Sequence, residues 1–166
     1  MNQRPSGEGQ SLAGRLYDSY GASLYRYAVM LLMDPSAAED AVQQVFAALV
    51  KRGDSPRLDN EAHYLRRAIR NECYSFRRRR KLALFGSDSA FLEQVEEAAS
   101  EVSPEERLTL ERAIRNLPME QRDVLHLHVF EGLTLREVAD GSGESINTIA
   151  SRYRYAIGKL RDAFEK

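Results

Sequence analysis

Polar side chains near the C-terminus have the types and the spacing of a surface that contacts duplex DNA. At about 100° per residue, a helix beginning near residue 146 places Asn147, Ser151 and Arg154 on the side opposite Ile149 and Ile157. Asn pairs with adenine, Arg pairs with guanine, and short hydroxyls reach base edges or phosphates. We therefore predict DNA contacts from Asn147, Thr148, Ser151, Arg152, Arg154 and Tyr155. A solvated polar face without a ligand is the alternative.

The residues before this helix supply the rest of a helix-turn-helix. The segment Thr134-Leu-Arg-Glu137 has the Thr-x-x-Glu pattern of a capping box, which predicts a short helix. A glycine-bearing turn ending at Gly143 follows, and Ser145 can cap the last helix. Because this motif requires a short helix and a tight turn, the segment favours DNA contact over a solvated face.

A second candidate surface lies on a helix predicted between about residues 60 and 80, with Asn60 as its cap. Arg66, Arg70 and Arg77 fall within about 40° of one another, and five consecutive cations begin at Arg77. Neutralised phosphates release counterions, and tyrosines stack on unpaired bases, so this face suits nucleic acid or another polyanion. One or two cations would be enough to complement the helix dipole, which is the alternative. We predict contacts from Tyr64, Arg66, Arg67, Arg70, Asn71, Tyr74, Arg77 and Arg78.

The charges of the 166-residue chain are segregated although its net charge is only −1. Lys and Arg outnumber Asp and Glu in residues 1–85, whereas residues 86–106 contain seven acidic residues and no Lys or Arg. This distribution indicates separate functional segments. The longest apolar run is far too short to span a bilayer, and the polar N-terminus predicts no signal peptide. We expect a cytoplasmic protein.

The chain is predicted to be all-α, because helical periodicity and helix caps dominate it. Helices are expected at about 12–33, 35–51, 60–80, 104–116, 118–130, from 134 and from 146 to 164, with Gly21 as a point of weakness in the first. We predict a polar tail at 1–11, two small helical domains at 12–82 and 103–166, and an acidic linker at 83–102. A helical turn is expected at about 91–98 within that linker.

Residues that could perform catalysis are not arranged for it. No glycine-rich phosphate loop, nucleophile–base pair or metal motif is visible. His126 and His128 are two apart and do not share a helix face. Cys73 lies on an apolar stripe of the helix predicted at 60–80, where a core thiol is expected; the stripe consists of Ala62, Leu65, Ile69, Cys73 and Phe76. We predict that the protein is not an enzyme and needs no cofactor or metal.

Three segments together carry a resemblance to a known family. These are Ala38-Glu-Asp-Ala-Val-Gln-Gln-Val-Phe46, Tyr64-Leu-Arg-Arg-Ala-Ile-Arg-Asn71 with the arginines that follow, and Leu117-Pro-x-x-Gln-Arg-x-Val-Leu125 with Glu131–Ala139 and Asn147–Arg152. In this order and spacing the chain resembles a bacterial extracytoplasmic-function (ECF) sigma factor of the sigma-70 family. The likeness covers roughly residues 12–82 and 103–164.

The resemblance implies a region 2 three-helix bundle and a region 4 helix-turn-helix, whose function is to direct core RNA polymerase to promoters. It implies that the helix near residue 40 binds polymerase, that the basic helix melts and reads the minus-ten element, with Asn71 helping to hold a flipped base, and that the last helix reads the minus-thirty-five element. An anti-sigma protein is implied as a further partner. The polymerase-binding residues would be Glu39, Asp40, Gln43, Gln44 and Phe46.

Some positions depart from the family pattern. Tyr64 stands where a tryptophan is usual, and the loop before the basic helix has Pro56 and Leu58 where an aromatic residue is usual. In the helix-turn-helix, Ser142 and Glu144 replace hydrophobic residues. A stand-alone helix-turn-helix regulator of duplex DNA and an adaptor that binds only proteins are the alternative functions.

Overall fold

The computed structural model describes residues 11–53, 59–82 and 103–165. Every regular element among these residues is helical, as the sequence predicts. The helices are α1 (Leu12–Leu32), α2 (Pro35–Arg52), α3 (Glu61–Leu82), α4 (Pro104–Arg115), α5 (Met119–Leu125), a π-helical segment (His126–Phe130), α6 (Leu135–Ser142) and α7 (Ile146–Phe164). Residues 1–10 of the predicted tail, the linker at 83–102 with its helical turn, and the loop residues 54–58 lie outside the described residues.

Polar caps start the helices where the sequence predicts them. The Asn60 side chain accepts a hydrogen bond from the His63 backbone N–H at 2.9 Å, and Ser145 accepts from Thr148 at 3.1 Å. Ser103 forms a capping box that begins α4. Each cap satisfies backbone donors that the first helical turn leaves free, so a few local residues determine where the helix begins.

Helices α1, α2 and α3 form a three-helix bundle, called here the N-terminal bundle. The predicted apolar stripe of α3 enters its core, where Leu65, Ile69 and Cys73 are fully buried. The prediction of a core thiol at Cys73 is confirmed, and burial raises the pKa of that thiol far above its usual value. The expected weakness at Gly21 is wrong, because α1 is continuous through a buried Gly21 against which the Tyr17 ring packs.

Helices α4 to α7, with the π-helical segment, form the C-terminal bundle, in which α7 packs on both α4 and α5. Ile149 and Ala156 of α7 are buried, whereas Ile146 at the start of the helix is 36% exposed. Ile146 is the first residue of α7, and Ala156 near the middle of the helix is fully buried.

The two bundles pack against each other and share one continuous core. Helix α5 contacts α1, and α6 contacts α3. The predicted helix at 118–130 widens to π geometry from His126, whose ring stacks on Tyr27 of α1 with centroids 4.7 Å apart. Periodicity alone did not predict this contact between the bundles.

Candidate nucleic-acid interface

One side of α3 presents the residues Arg66, Arg70, Tyr74 and Arg77, called here the α3 stripe. They recur at helical spacing, so they lie one above another along the helix. The guanidinium of Arg70 lies over the Tyr74 ring at 4.6 Å from its centroid, and that of Arg77 lies at 5.2 Å. These cation–π contacts join Tyr74 to the arginines on either side of it.

Asp123 of α5 lies at the middle of the α3 stripe. Its Oδ2 accepts hydrogen bonds from Arg70 Nε at 2.7 Å and from the Tyr74 hydroxyl at 3.0 Å, and its Oδ1 accepts from the Tyr27 hydroxyl at 2.5 Å. Asp123 is only 2% exposed. A buried carboxylate needs such partners, because its desolvation is otherwise very costly.

The pKa values of Tyr27, Tyr74 and Arg70 keep all three side chains protonated beside Asp123. Burial, followed by the negative charge of Asp123, raises the pKa of Tyr27 and of Tyr74 well above the usual tyrosine value. Burial lowers the pKa of Arg70, but the charge and hydrogen bond of Asp123, together with Tyr74 and Tyr27, more than offset this effect, so the pKa of Arg70 is raised overall. All three side chains therefore remain hydrogen-bond donors to Asp123 at neutral pH.

Further carboxylates of the C-terminal bundle pair with the remaining cations of the stripe. Arg77 Nη2 donates to Glu120 Oε1 at 2.5 Å, and the Arg66 Nε lies 3.7 Å from Glu131 Oε2. The hydrogen bond from Arg77 lowers the pKa of Glu120. The acidic side chains that face the stripe, called here the acidic patch, are Glu120, Asp123, Glu131 and Glu144.

The other predicted residues of α3 are not covered in this way. Arg67, Asn71 and Arg78 are exposed. Tyr64 is half-buried, and its hydroxyl accepts a hydrogen bond from Arg52 Nη1 at 2.8 Å. The structure thus divides the eight predicted residues into a stripe in contact with the acidic patch and a set that lies beside it.

The predicted polymerase-binding residues of α2 form a polar surface with one exception. Glu39, Asp40, Gln43 and Gln44 are all exposed on the same side of the helix. Phe46 is 8% exposed and makes an edge-to-face contact with Tyr17, with ring centroids 5.1 Å apart. Phe46 therefore lies buried beneath the polar surface and is not part of it.

The helix-turn-helix has the predicted local geometry. Thr134 Oγ1 accepts from the Glu137 N–H at 3.1 Å, and the Glu137 carboxylate accepts from the Thr134 N–H at 2.8 Å, which completes the capping box. Gly143 has φ +70°, a left-handed conformation that ends α6. Because glycine adopts this conformation at little cost, the turn can direct the chain into α7.

The polar face of α7 is largely open to solvent. Asn147 and Arg154 are exposed, and Tyr155 is 67% exposed. Thr148 and Ser151 are half-buried beside them, and Ser151 Oγ accepts from Arg154 Nη2 at 3.2 Å. The helix-turn-helix therefore presents most of the predicted side chains together.

Arg152 differs from the other predicted residues of α7. It is half-buried and forms a two-pronged ion pair with Glu144, with N–O distances of 2.5 and 2.9 Å. Glu144, which departs from the hydrophobic residue usual at this position, therefore fixes Arg152 against the turn. Arg152 lies beside the exposed face and is held by an acidic neighbour.

Sequence reasoning missed the residues that join the two bundles. Arg122 is 9% exposed, and its guanidinium donates to the backbone carbonyls of Met30 at 2.8 Å, Leu31 at 2.7 Å and Leu117. Burial, and then the charge of Arg77, lower the pKa of Arg122 to about 10. The available signal was an adjacent Arg-Asp pair immediately before an apolar run, which is unusual for a solvated helix face.

The described residues show no group of three His, Cys, Asp or Glu side chains suited to a metal ion. None of the described helices combines the length and the apolar character needed to cross a membrane.

Comparison with protein families gives two matches that together cover most of the chain. Residues 16–82 match the model of sigma-70 region 2, and residues 113–162 match the model of sigma-70 region 4. The first range contains the α2 surface and α3, and the second contains the helix-turn-helix. The two matches therefore include all three candidate surfaces of this chain.

Individual relatives extend the likeness along the chain. The ECF RNA polymerase sigma factor SigL of Mycobacterium tuberculosis is 28% identical over 91% of this chain and 88% of its own length. The RNA polymerase sigma-E factor of Streptomyces antibioticus is 31% identical over 81% of this chain and 74% of its own length.

Solved structures show the same fold. The sigma factor RpoE from Bartonella quintana, in complex with the anti-sigma factor NepR, superposes with a TM-score of 0.72 at 24% identity, over 91% of this chain and 95% of that one. CnrH, in complex with the cytosolic domain of CnrY, has a TM-score of 0.57 at 23% identity, over 92% and 87% of the two chains.

Proposed function

This chain belongs to the sigma-70 family, in its ECF class, and from that membership we propose which of its surfaces contact polymerase and promoter DNA. As an ECF sigma factor it directs core RNA polymerase to specific promoters and helps to melt the minus-ten element. Residues 12–82 and 103–166 act as two domains in this function. Members of the family are transcription initiation factors, and we infer that the chain has no catalytic activity of its own.

The surface of α2 binds core polymerase. Its side chains Glu39, Asp40, Gln43 and Gln44 are exposed together, and the buried Phe46 keeps the helix in place beneath them. Acidic and amide side chains on one helix face suit a basic helical partner, because opposite charges guide association and set the register.

Helix α3 engages the opened minus-ten element. Its cations neutralise phosphates, and Asn71, which is exposed, helps to hold a flipped base. Removing a base from the stack costs a few kcal/mol, so contacts from Tyr64 and Tyr74 and from the arginines must offset that cost.

Helix α7 reads the minus-thirty-five element in the major groove. The observation that carries the proposal is the open polar face of Asn147, Ser151, Arg154 and Tyr155, on a helix that follows the Gly143 turn. Recognition helices use such N-terminal residues to contact base edges. Binding two promoter elements through one chain raises the effective affinity for both.

We further infer a cytoplasmic location and a regulatory anti-sigma partner. Transcription by bacterial polymerase takes place in the cytoplasm. Bartonella RpoE is bound to the anti-sigma factor NepR, and CnrH is bound to the cytosolic domain of CnrY. An anti-sigma partner would bind exposed surfaces of the two bundles.

Run-off transcription with core polymerase on a genomic promoter library tests the function and yields the recognised sequence. The folded chain should start RNA synthesis at a defined set of promoters. Failure to start at any promoter, with active core enzyme and folded chain, would show the proposal to be wrong. Binding to duplex DNA without co-purification with core polymerase would instead favour a stand-alone regulator.

A further inference from the structure

One arginine in the basic run at the end of α3 is held by a different helix of the same bundle. The run extends from Arg77 to Lys81. Within it, Nη1 of Arg80 donates a hydrogen bond to Oδ2 of Asp34 at 3.1 Å. Asp34 immediately precedes α2 and is 46 residues from Arg80 along the chain. The end of the basic helix is therefore attached to the start of the helix that carries the proposed polymerase surface.

Asp34 also determines where α2 begins. It is the N-cap of the helix, and its Oδ1 accepts a hydrogen bond from the Ala37 backbone N–H at 3.1 Å. Pro35 follows at the first helical position, where a missing N–H leaves no hydrogen bond unmade and the fixed φ of proline suits the helix. The two oxygens of this carboxylate thus have different partners, since one caps α2 and the other binds Arg80.

The neighbouring arginines of the run have partners of another kind. Arg77 pairs with Glu120 of the C-terminal bundle, and Arg79 pairs with Glu72 of α3 itself. In contrast, Arg80 is joined to the start of α2, which packs against α3 within the N-terminal bundle. The position of the Arg80 guanidinium is therefore set by the packing of these two helices.

The pair of Asp34 and Arg80 lies at the surface. The two side chains are 22% and 34% exposed, respectively. Exposed ion pairs contribute little to the free energy of unfolding, because water screens the charges and both side chains lose freedom. A guanidinium carries several N–H groups in a planar fork, and the hydrogen bond to Asp34 uses one of them. Arg80 can therefore donate to a further anion while Asp34 holds it.

The place of Asp34 at a helix N-terminus reduces the effect of its negative charge on a nearby anion. Unpaired N–H groups and aligned peptide dipoles give the start of a helix a partial positive charge. Asp34 lies against this charge as the N-cap, and the first turn of α2 contains no further acidic residue. The carboxylate can thus hold an arginine beside a DNA strand with less repulsion of phosphates than an isolated carboxylate would cause.

We propose that Arg80 contacts a phosphate of the opened minus-ten strand, and that Asp34 is the positioning residue that holds Arg80 for this contact. This role depends on the proposed binding of α3 to that strand, and it adds two residues to the surface. A surface arginine loses side-chain freedom when it binds a partner. Because Asp34 already restricts Arg80, part of that loss occurs on folding and not on binding. The attachment to α2 also fixes the phosphate contact relative to the polymerase surface.

Binding of the assembled holoenzyme to promoter DNA tests the positioning. The probe is a fluorescent promoter fragment recovered from the run-off library, with a mismatched bubble across its minus-ten element, so that melting is not measured. Asp34→Asn keeps the helix cap, because Asn and Asp are equally good caps, but removes the charge that holds Arg80. It should weaken DNA binding about two- to tenfold, because Arg80 then loses its freedom on binding. Binding of the variant to core polymerase should match the wild type.

A double-mutant cycle shows whether Asp34 acts through Arg80. Arg80→Gln should weaken DNA binding and reduce the slope of log affinity against log salt concentration by about 0.7–0.9, the value of one phosphate contact. Adding Asp34→Asn to Arg80→Gln should weaken binding no further. Arg79→Gln is the matched control, because Arg79 pairs with Glu72, and adding Asp34→Asn to it should still cause the full loss. A full loss in the Arg80→Gln background as well would overturn the positioning role.

The sign of the Asp34→Asn effect separates positioning from simple charge. If Asp34 only opposed the approach of phosphates, its neutralisation would tighten DNA binding, and that result would also overturn the positioning role. Asp34→Ser keeps a capping residue without the charge and should reproduce the weaker binding. Thermal unfolding of the free chain should change little in both variants, so that weaker DNA binding is not a loss of fold.

Failure of the positioning role and failure of the proposed function give different results. A wild-type holoenzyme that starts RNA synthesis at no promoter would contradict the proposed function, and the role of Asp34 with it. A wild-type holoenzyme that binds the fragment with the same affinity as the Asp34→Asn holoenzyme would contradict the positioning role alone.

Discussion

Helices α3 and α7 both have the sequence pattern of a nucleic-acid surface, yet their environments differ. The Arg70 side chain in α3 is only 16% exposed and lies against Asp123, whereas Tyr155 in α7 is 67% exposed. Both helices carry arginines, polar residues and tyrosines at helical spacing. The comparison teaches that a cationic helix face predicts affinity for polyanions, and that carboxylates elsewhere in the same chain can satisfy that affinity.

The acidic neighbours of the two helices also differ in which bundle they come from. Glu144 holds Arg152 from within the same bundle, and the remaining polar face of α7 stays open. The carboxylates that face α3 come from the other bundle. The experiments below test this contrast, beginning with the largest expected effect.

Arg122→Met should lower the free energy of unfolding by about 3 kcal/mol, because three buried carbonyls lose a charged donor. Urea denaturation followed by circular dichroism measures the change. Arg112→Met on α4, where the arginine is exposed, should change stability by no more than about 0.5 kcal/mol. Equal effects of the two substitutions would mean that Arg122 contributes no more than a surface arginine.

Arg154→Ala should weaken binding of the minus-thirty-five element by about 1–3 kcal/mol, because a base contact is lost from the open face of α7. Binding to core polymerase should not change. Fluorescence anisotropy with promoter duplexes and co-purification with core enzyme measure the two effects. Arg161→Ala, an exposed arginine nearly two turns later on the same helix, is the control and should have little effect. If Arg154→Ala abolished polymerase binding instead, the assignment of α7 would be wrong.

Gly143→Ala should lower the free energy of unfolding by about 1 kcal/mol, because φ is +70° and alanine is strained in that conformation. Nothing lies within 4 Å of the added Cβ, so the effect comes from the backbone alone. Gly158→Ala, in the interior of α7 and with equal space, should stabilise the chain by about 0.5–1 kcal/mol. Thermal unfolding of both variants distinguishes the signs, and a stabilised Gly143→Ala chain would contradict the left-handed turn.

Glu120→Gln should have the smallest effect, about 0.5 kcal/mol at neutral pH, since the pair with Arg77 is partly exposed. The pKa of Glu120 is lowered in the folded chain, so its contribution is present above the ordinary glutamate pKa. The stability difference between wild type and variant should shrink as the pH falls through the lowered pKa and vanish below it. Denaturant titrations at several pH values check this, and a difference that grows on acidification would reverse the assigned sign.

Much of the fold could be predicted from local sequence. The caps Asn60, Ser103, Thr134 and Ser145 each determine a helix start through a hydrogen bond to a residue three positions away. The stripe of Leu65, Ile69 and Cys73 predicts the buried side of α3 from periodicity. The site residues of α7 were predictable for the same reason, because their common face follows from helical geometry alone.

The sequence by itself determined the helices, their buried sides and the presence of two cationic faces, since these follow from interactions within a few residues. Only the tertiary structure decided that the α3 stripe is covered and that most of the polar face of α7 is open. Arg70 and Asp123 are 53 residues apart, and Tyr27 and Asp123 are 96 apart. No local pattern pairs such residues, because the energy of a buried carboxylate depends on which donors the packing of the two bundles brings to it.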